Sequence, residues 1–170
     1  KQKDYTHPLK LWLDLKRKDE ALAMIAGWNA IVSYEQQKQN KTNLSLQEIV
    51  KEGFRYEIFF LDEDQYDLYI NNDPQGQITP TAGLKFNADM TISDNQQEIL
   101  AKTYFDLAPE KMRLGQSGIS DYRNDYATHV IRYIALNHYE HDPNAKLIID
   151  MKGLGLDEHL IESSGLDLGK

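Results

Sequence analysis

Apolar positions recur with a helical period near both ends of the chain and with a strand-like period in the middle. In "THPLKLWLDLKRK", Leu9, Trp12 and Leu13 fall on one helical face. Thr6 suits the N-cap of this helix, and Pro8 falls in its first turn, where proline is tolerated. A second helix is expected from Asp19 to Gln39, with Leu22, Ile25, Trp28 and Val32 on one side and Met24 and Ile31 on its flank. Such nearly all-round apolarity predicts central burial. "SLQEIVKEG" carries a capping box from Ser45 to Glu48, which predicts a short helix.

The period then shortens. Apolar runs at 56–61 and 66–70 flank the acidic turn "DEDQ", and their aromatic and branched residues predict a β-hairpin over 56–70. "NNDPQGQITPTAG" reads as turn and loop, and "GLKFNADMTI" as one more short strand. Helical signals return at "SDNQQEILAKTYFDL", at "APEKMRLG" and over Ser120 to His141. In the last of these, Tyr126, Ala127, Val130, Tyr133 and Ile134 form the apolar face, with the tyrosines expected at a core boundary. "AKLIIDM" predicts a strand at 146–151, and "LDEHLIESSG" a final helix ended by Gly165. The expected fold class is α+β: several helices packed on a small, mainly antiparallel sheet that includes the 56–70 hairpin and the 146–151 strand.

With 170 residues, 41% apolar and 27% charged, the chain is expected to form one globular domain over 1–170, with 1–7 as a flexible basic start. Net charge is −8, but residues 1–18 hold six bases against Asp4 and Asp14, a balance of +4, so the remainder carries −12. An acidic body argues against nucleic acid as the main partner and for a basic protein. The absence of cysteine excludes disulfides, thiolate nucleophiles and cysteine-ligated zinc. The longest apolar block, 21–32, is shorter than the roughly 20 residues that cross a bilayer. A start at Lys1, without methionine, points towards an exported or periplasmic form over a cytoplasmic one.

Three constellations carry candidate chemistry. The first is acidic: Asp62, Glu63, Asp64, Asp67 and Asp73 interleave with Tyr66 and Tyr69, and no base occurs over 57–73. Carboxylates steer a basic partner and tyrosines supply contact area, so these seven residues form the expected partner-binding segment. The second is Asp150-x-Lys152 after the apolar run "LII". Residues Lys146 to Lys152 resemble the catalytic strand of the PD-(D/E)xK nuclease family. That resemblance implies a divalent metal held by Asp150 with a second carboxylate from Asp142, Asp62 or Asp67, and a water positioned by Lys152. The third is His138, His141 and Asp142, a partial zinc-ligand set at a helix end, where histidines also interact favourably with the helix dipole. "LGQSGIS" lacks the second glycine of a nucleophile elbow and reads as a turn.

Read together, these features favour a small acidic protein-binding module without cofactor, of which a bacterial immunity or inhibitor protein masking a basic partner is one form. The alternatives are a metal-dependent nuclease or hydrolase using Asp150 and Lys152, and the soluble domain of an envelope-anchored protein.

Overall fold

The structure, a computed structural model, describes residues 1–50, 80–166 and 168. These residues are mostly helical. They divide between two compact units: Lys1–Arg17 with Phe105–Lys170, and Lys18–Tyr104.

Helix α1, Thr6–Gln39, runs through both segments without a break. The boundary expected near Asp19 is absent because "LKRKDEAL" contains neither proline nor glycine and, Asp19 apart, consists of strong helix formers. The start is capped by a residue other than the expected Thr6: the Asp4 carboxylate accepts the Thr6 N–H at 2.9 Å. Hydrogen bonds from the Thr6 hydroxyl and N–H hold the Asp4 carboxyl below the usual carboxylate range.

The first unit pairs β1, Gln2–Asp4, with β2, Lys146–Ile148. The pairing is parallel, with Lys3 opposite Leu147. This overturns the expected mainly antiparallel sheet. Among the described residues the sheet has two short strands, and one of them is a polar tripeptide exposed at every position. No alternation marks "QKD" as a strand. It pairs because Lys1 and Tyr5 bond the other strand through their backbones, Lys146 N–H to Lys1 C=O at 3.0 Å and Tyr5 N–H to Ile148 C=O at 2.9 Å. The expected 56–70 hairpin lies outside the described residues.

The same unit contains α4, Pro109–Met112, the long α5, Tyr122–His141, and α6, Glu158–Ser163. The core of the unit joins Leu9 and Leu13 of α1, Ala127 and Ile131 of α5, Leu154 and Leu156 of the late turn, and Ile161 of α6. Each fully buried leucine or isoleucine among them contributes roughly 1.5–3 kcal/mol. Phe105 stacks on Tyr122 and Tyr126 at centroid distances of 6.3 and 5.9 Å. Helix α5 is capped by Asp121, whose carboxylate accepts from the backbone and side-chain nitrogens of buried Asn124, both at 2.8 Å. Asn124 in turn accepts the Asp157 N–H, where α6 begins.

The second unit is built on the later part of α1. Ala21, Met24, Ile25, Trp28, Ile31, Val32 and Glu35 are buried on one stripe of helical period. Helix α2, Leu46–Val50, opens with the expected capping box: Glu48 N–H donates to Ser45 Oγ, and Ser45 N–H to the Glu48 carboxylate, each at 3.2 Å. The hydrogen bond from Lys41, then that from Ser45, keeps the Glu48 carboxyl below its ordinary range. A 3-10 turn, Asp94–Gln96, leads into α3, Gln97–Tyr104. The short strand expected within 83–92 is instead a turn: Asn87 N–H donates to the Thr91 carbonyl, and Met90 N–H, at a φ of 71°, donates to the Asn87 carbonyl. Asn29 of α1 clamps the far side, exchanging two hydrogen bonds with the backbone of Ile92.

Candidate functional site

The Asp150-x-Lys152 stretch does not continue β2. The strand ends at Ile148, and residues 151–155 turn back, with Gly155 at a φ of 71°. Strand alternation therefore no longer places Asp150 and Lys152 on one side, which corrects the 146–151 strand. The physical reason lies in the bonds that intercept the backbone. Asp150 N–H donates to Thr6 Oγ1 at 2.8 Å, and Asp150 Oδ1 accepts Gly153 N–H at 3.0 Å. A Cβ on Gly153 would collide with the Asp150 carboxylate, so glycine fits there because the carboxylate already fills that space. Lys152 is exposed. Asp150 thus closes an Asx-type turn. Replacing it with alanine is expected to lower unfolding stability by about 1 kcal/mol, as for loss of a side-chain cap, while asparagine keeps most of the bond. Urea unfolding of the two variants checks this. An Asp150→Ala protein as stable as wild type would contradict it.

The histidine set lies at the end of α5. His138 is buried, with Nε2 2.7 Å from the Ala145 carbonyl and Nδ1 2.8 Å from the Tyr5 hydroxyl. The carbonyl can only accept, so Nε2 carries the proton, and in the neutral ring the Tyr5 hydroxyl donates to Nδ1. Both nitrogens are therefore occupied in tying α5 to the chain on either side of the sheet. His141 Nδ1 donates to the Asn137 carbonyl at 2.9 Å, and Asp142 pairs with Lys1 at 3.6 Å. Together with Lys3, Tyr5, Ile134 and Asn137 they line an open hollow of about 360 Å³. Among the described residues, no group of three or more His, Asp or Glu side chains could hold a metal ion. A metal on His138 would displace one of its two hydrogen bonds.

The seven expected partner-binding residues, Asp62, Glu63, Asp64, Tyr66, Asp67, Tyr69 and Asp73, lie outside the described residues. Of the "LGQSGIS" loop, Leu114 and Ser120 form an antiparallel bridge, and Ser117 donates its hydroxyl to the Ser163 carbonyl at 2.8 Å, a tether to α6.

Sequence reading passed over two polar features. Asp106 is gripped by two arginines: Arg17 through Nε and Nη2, the latter at 2.8 Å, and Arg123 at 2.9 Å. Arg123 also lies 5.2 Å over the Phe105 ring. Burial alone would raise the Asp106 carboxyl, but hydrogen bonds and charge from Arg17 and then Arg123 outweigh it and hold the group below the carboxylate range. No local motif could reveal a pair separated by 89 residues. The second is Glu35, fully buried, with one oxygen accepting from Gln39 at 2.9 Å and the other without a hydrogen-bond partner among the described residues. It could have been found as the next turn of the Trp28–Val32 stripe.

Tyr133 also differs from expectation. Helical period predicts it on the apolar face of α5, yet 69% of it is exposed, because the buried line runs through Ala127, Ile131 and His138 and turns Tyr133 outward.

No family model, curated protein or solved structure matches the chain. Among the described residues, no helix is long and apolar enough to cross a membrane.

Proposed function

We propose that the chain is a protein-binding module whose acidic segment, Asp62 to Asp73, docks a basic protein partner. The observation that carries this reading is the run of carboxylates over 57–73 uninterrupted by lysine or arginine, with Tyr66 and Tyr69 between them. Negative charge concentrated in one stretch raises the rate of encounter with a cationic surface, and tyrosine gives contact area at low entropic cost. The remaining candidates add support by their bonding. Asp150 Oδ1 accepts the Gly153 N–H, and both ring nitrogens of His138 are hydrogen-bonded within the fold. An inhibitor of the immunity type, masking a basic enzyme or toxin, is one concrete form of such a module.

The test is association kinetics with a basic protein recovered from the native source. The wild-type rate should fall steeply as salt is raised. A triple variant, Asp62→Lys, Asp64→Lys and Asp67→Lys, should associate about tenfold more slowly or worse, with an unchanged far-ultraviolet circular dichroism spectrum. Binding that ignores both salt and the triple substitution would overturn the proposal.

A further inference from the structure

Helix α5 buries one face, through Asn124, Ala127, Thr128, Ile131 and His138, and leaves an apolar row on the other. Tyr133 and Leu136 are each 69% exposed and Tyr139 57%. Isolated exposed apolar residues need no explanation, but a row at three-residue spacing along one helix is the pattern of a packing seam. The sequence of this row is symmetric about Leu136. A tyrosine stands three residues before it and another three after, while Arg132 lies four before and Glu140 four after. Both charged residues are exposed. Arg132 uses one N–H in a long bond to the Gly165 carbonyl at 3.3 Å, and a guanidinium has five.

This symmetry selects one kind of partner. A two-fold axis at Leu136, with two α5 helices packed antiparallel, places Leu136 against its own copy. At each end it brings Arg132 and Tyr133 beside Tyr139 and Glu140 of the partner subunit. Opposite charges meet, and a guanidinium lies within reach of a phenol ring. A parallel arrangement would set arginine against arginine and glutamate against glutamate. We infer that a second copy of this chain docks on the outer face of α5 as an antiparallel, two-fold helix pair. The inference uses no residue of the acidic segment, so either proposal can fail without the other.

Sedimentation equilibrium of the full chain over a dilution series tests it. The expected result is a reversible monomer–dimer equilibrium. Arg132→Glu or Glu140→Arg alone should weaken the dimer about tenfold, because like charges then meet at both ends of the seam. The double exchange, Arg132→Glu with Glu140→Arg, restores opposite charges and should recover most of the affinity. The chain contains no cysteine, so a Leu136→Cys variant carries a single thiol. It should form a disulfide-linked dimer under mild oxidation much faster than a Leu11→Cys control, whose position on α1 is 55% exposed. A wild-type chain that remains monomeric throughout, a double exchange that recovers nothing, or cross-linking at 136 no faster than at 11 would each overturn the inference.

Discussion

Replacing Trp28 with alanine is expected to lower unfolding stability by about 3–5 kcal/mol, as large-to-small changes at fully buried aromatic positions do. Trp28 has no exposed surface, its ring lies 5.8 Å from Phe86, and its indole N–H donates to the Met90 carbonyl at 2.8 Å. Truncation removes the apolar volume and leaves the carbonyl of a left-handed residue without that donor. Trp28→Phe separates the two effects: it keeps most of the volume and loses the bond, so its cost should be about 1–2 kcal/mol. Urea unfolding followed by circular dichroism reads both. The chain has two tryptophans, one in each compact unit, so in either variant the remaining fluorescence reports Trp12 and the first unit. A Trp28→Ala protein that loses less than about 1 kcal/mol would mean that the turn carrying Met90 does not pack on α1 as described.

The second large effect concerns Asp106. Its alanine variant leaves Arg17 and Arg123 beside one another, with side chains 18% and 24% exposed. Removing one member of a fully buried pair costs about 3–5 kcal/mol, but the Asp106 side chain is 32% exposed and solvent screens it, so about 1–2 kcal/mol is expected. The dependence on acid follows from the direction of its shift. The folded carboxyl titrates below its unfolded counterpart, so the clamp contributes fully above the ordinary aspartate value of about 3.9. That contribution is lost as pH falls through the lower, folded value. The stability gap between wild type and Asp106→Asn should therefore be constant near neutrality and close in acid. A gap that stayed open at the acid end, or widened there, would contradict the clamp.

Where sequence and structure agree, the governing signal is local. The capping box Ser45–Glu48 needs four residues, and the Leu9–Leu13 and Ile25–Val32 stripes need only helical period. Disagreement follows distance. Strand β1 has no signal of its own and exists because Ile148, far along the chain, accepts the Tyr5 N–H. The strand after Ala145 was legible from "LII", but its parallel partner and its early end at Ile148 were not. The end depends on Thr6 receiving the Asp150 N–H. Tyr133 shows a finer limit. Aromatic residues near the edge of a helical stripe can turn either way, and the position of the buried line through Ile131 and His138 decides. Asp150 and His138 have the residue types of a metal site, but their geometry comes from partners that spacing does not reveal: Thr6 and Gly153 for one, Tyr5 and Ala145 for the other.

The parallel pairing of β1 with β2 also orders events during synthesis. Thr6 and Asp150, which bond at the end of that pair, are separated by 144 residues. At translation rates of about 5–20 residues per second, the beginning of the chain waits several seconds before its strand partner leaves the ribosome. The middle of the chain waits less than half as long, since Trp28 and Asn29 find Met90 and Ile92 after 62 and 63 residues. The unit over Lys18–Tyr104 can therefore close first. Because α1 is one unbroken helix, the turns formed there spare the N-terminal end the cost of a new helical nucleus. Leu9 and Leu13 then stand on a helix already begun when the last third of the chain arrives to cover them.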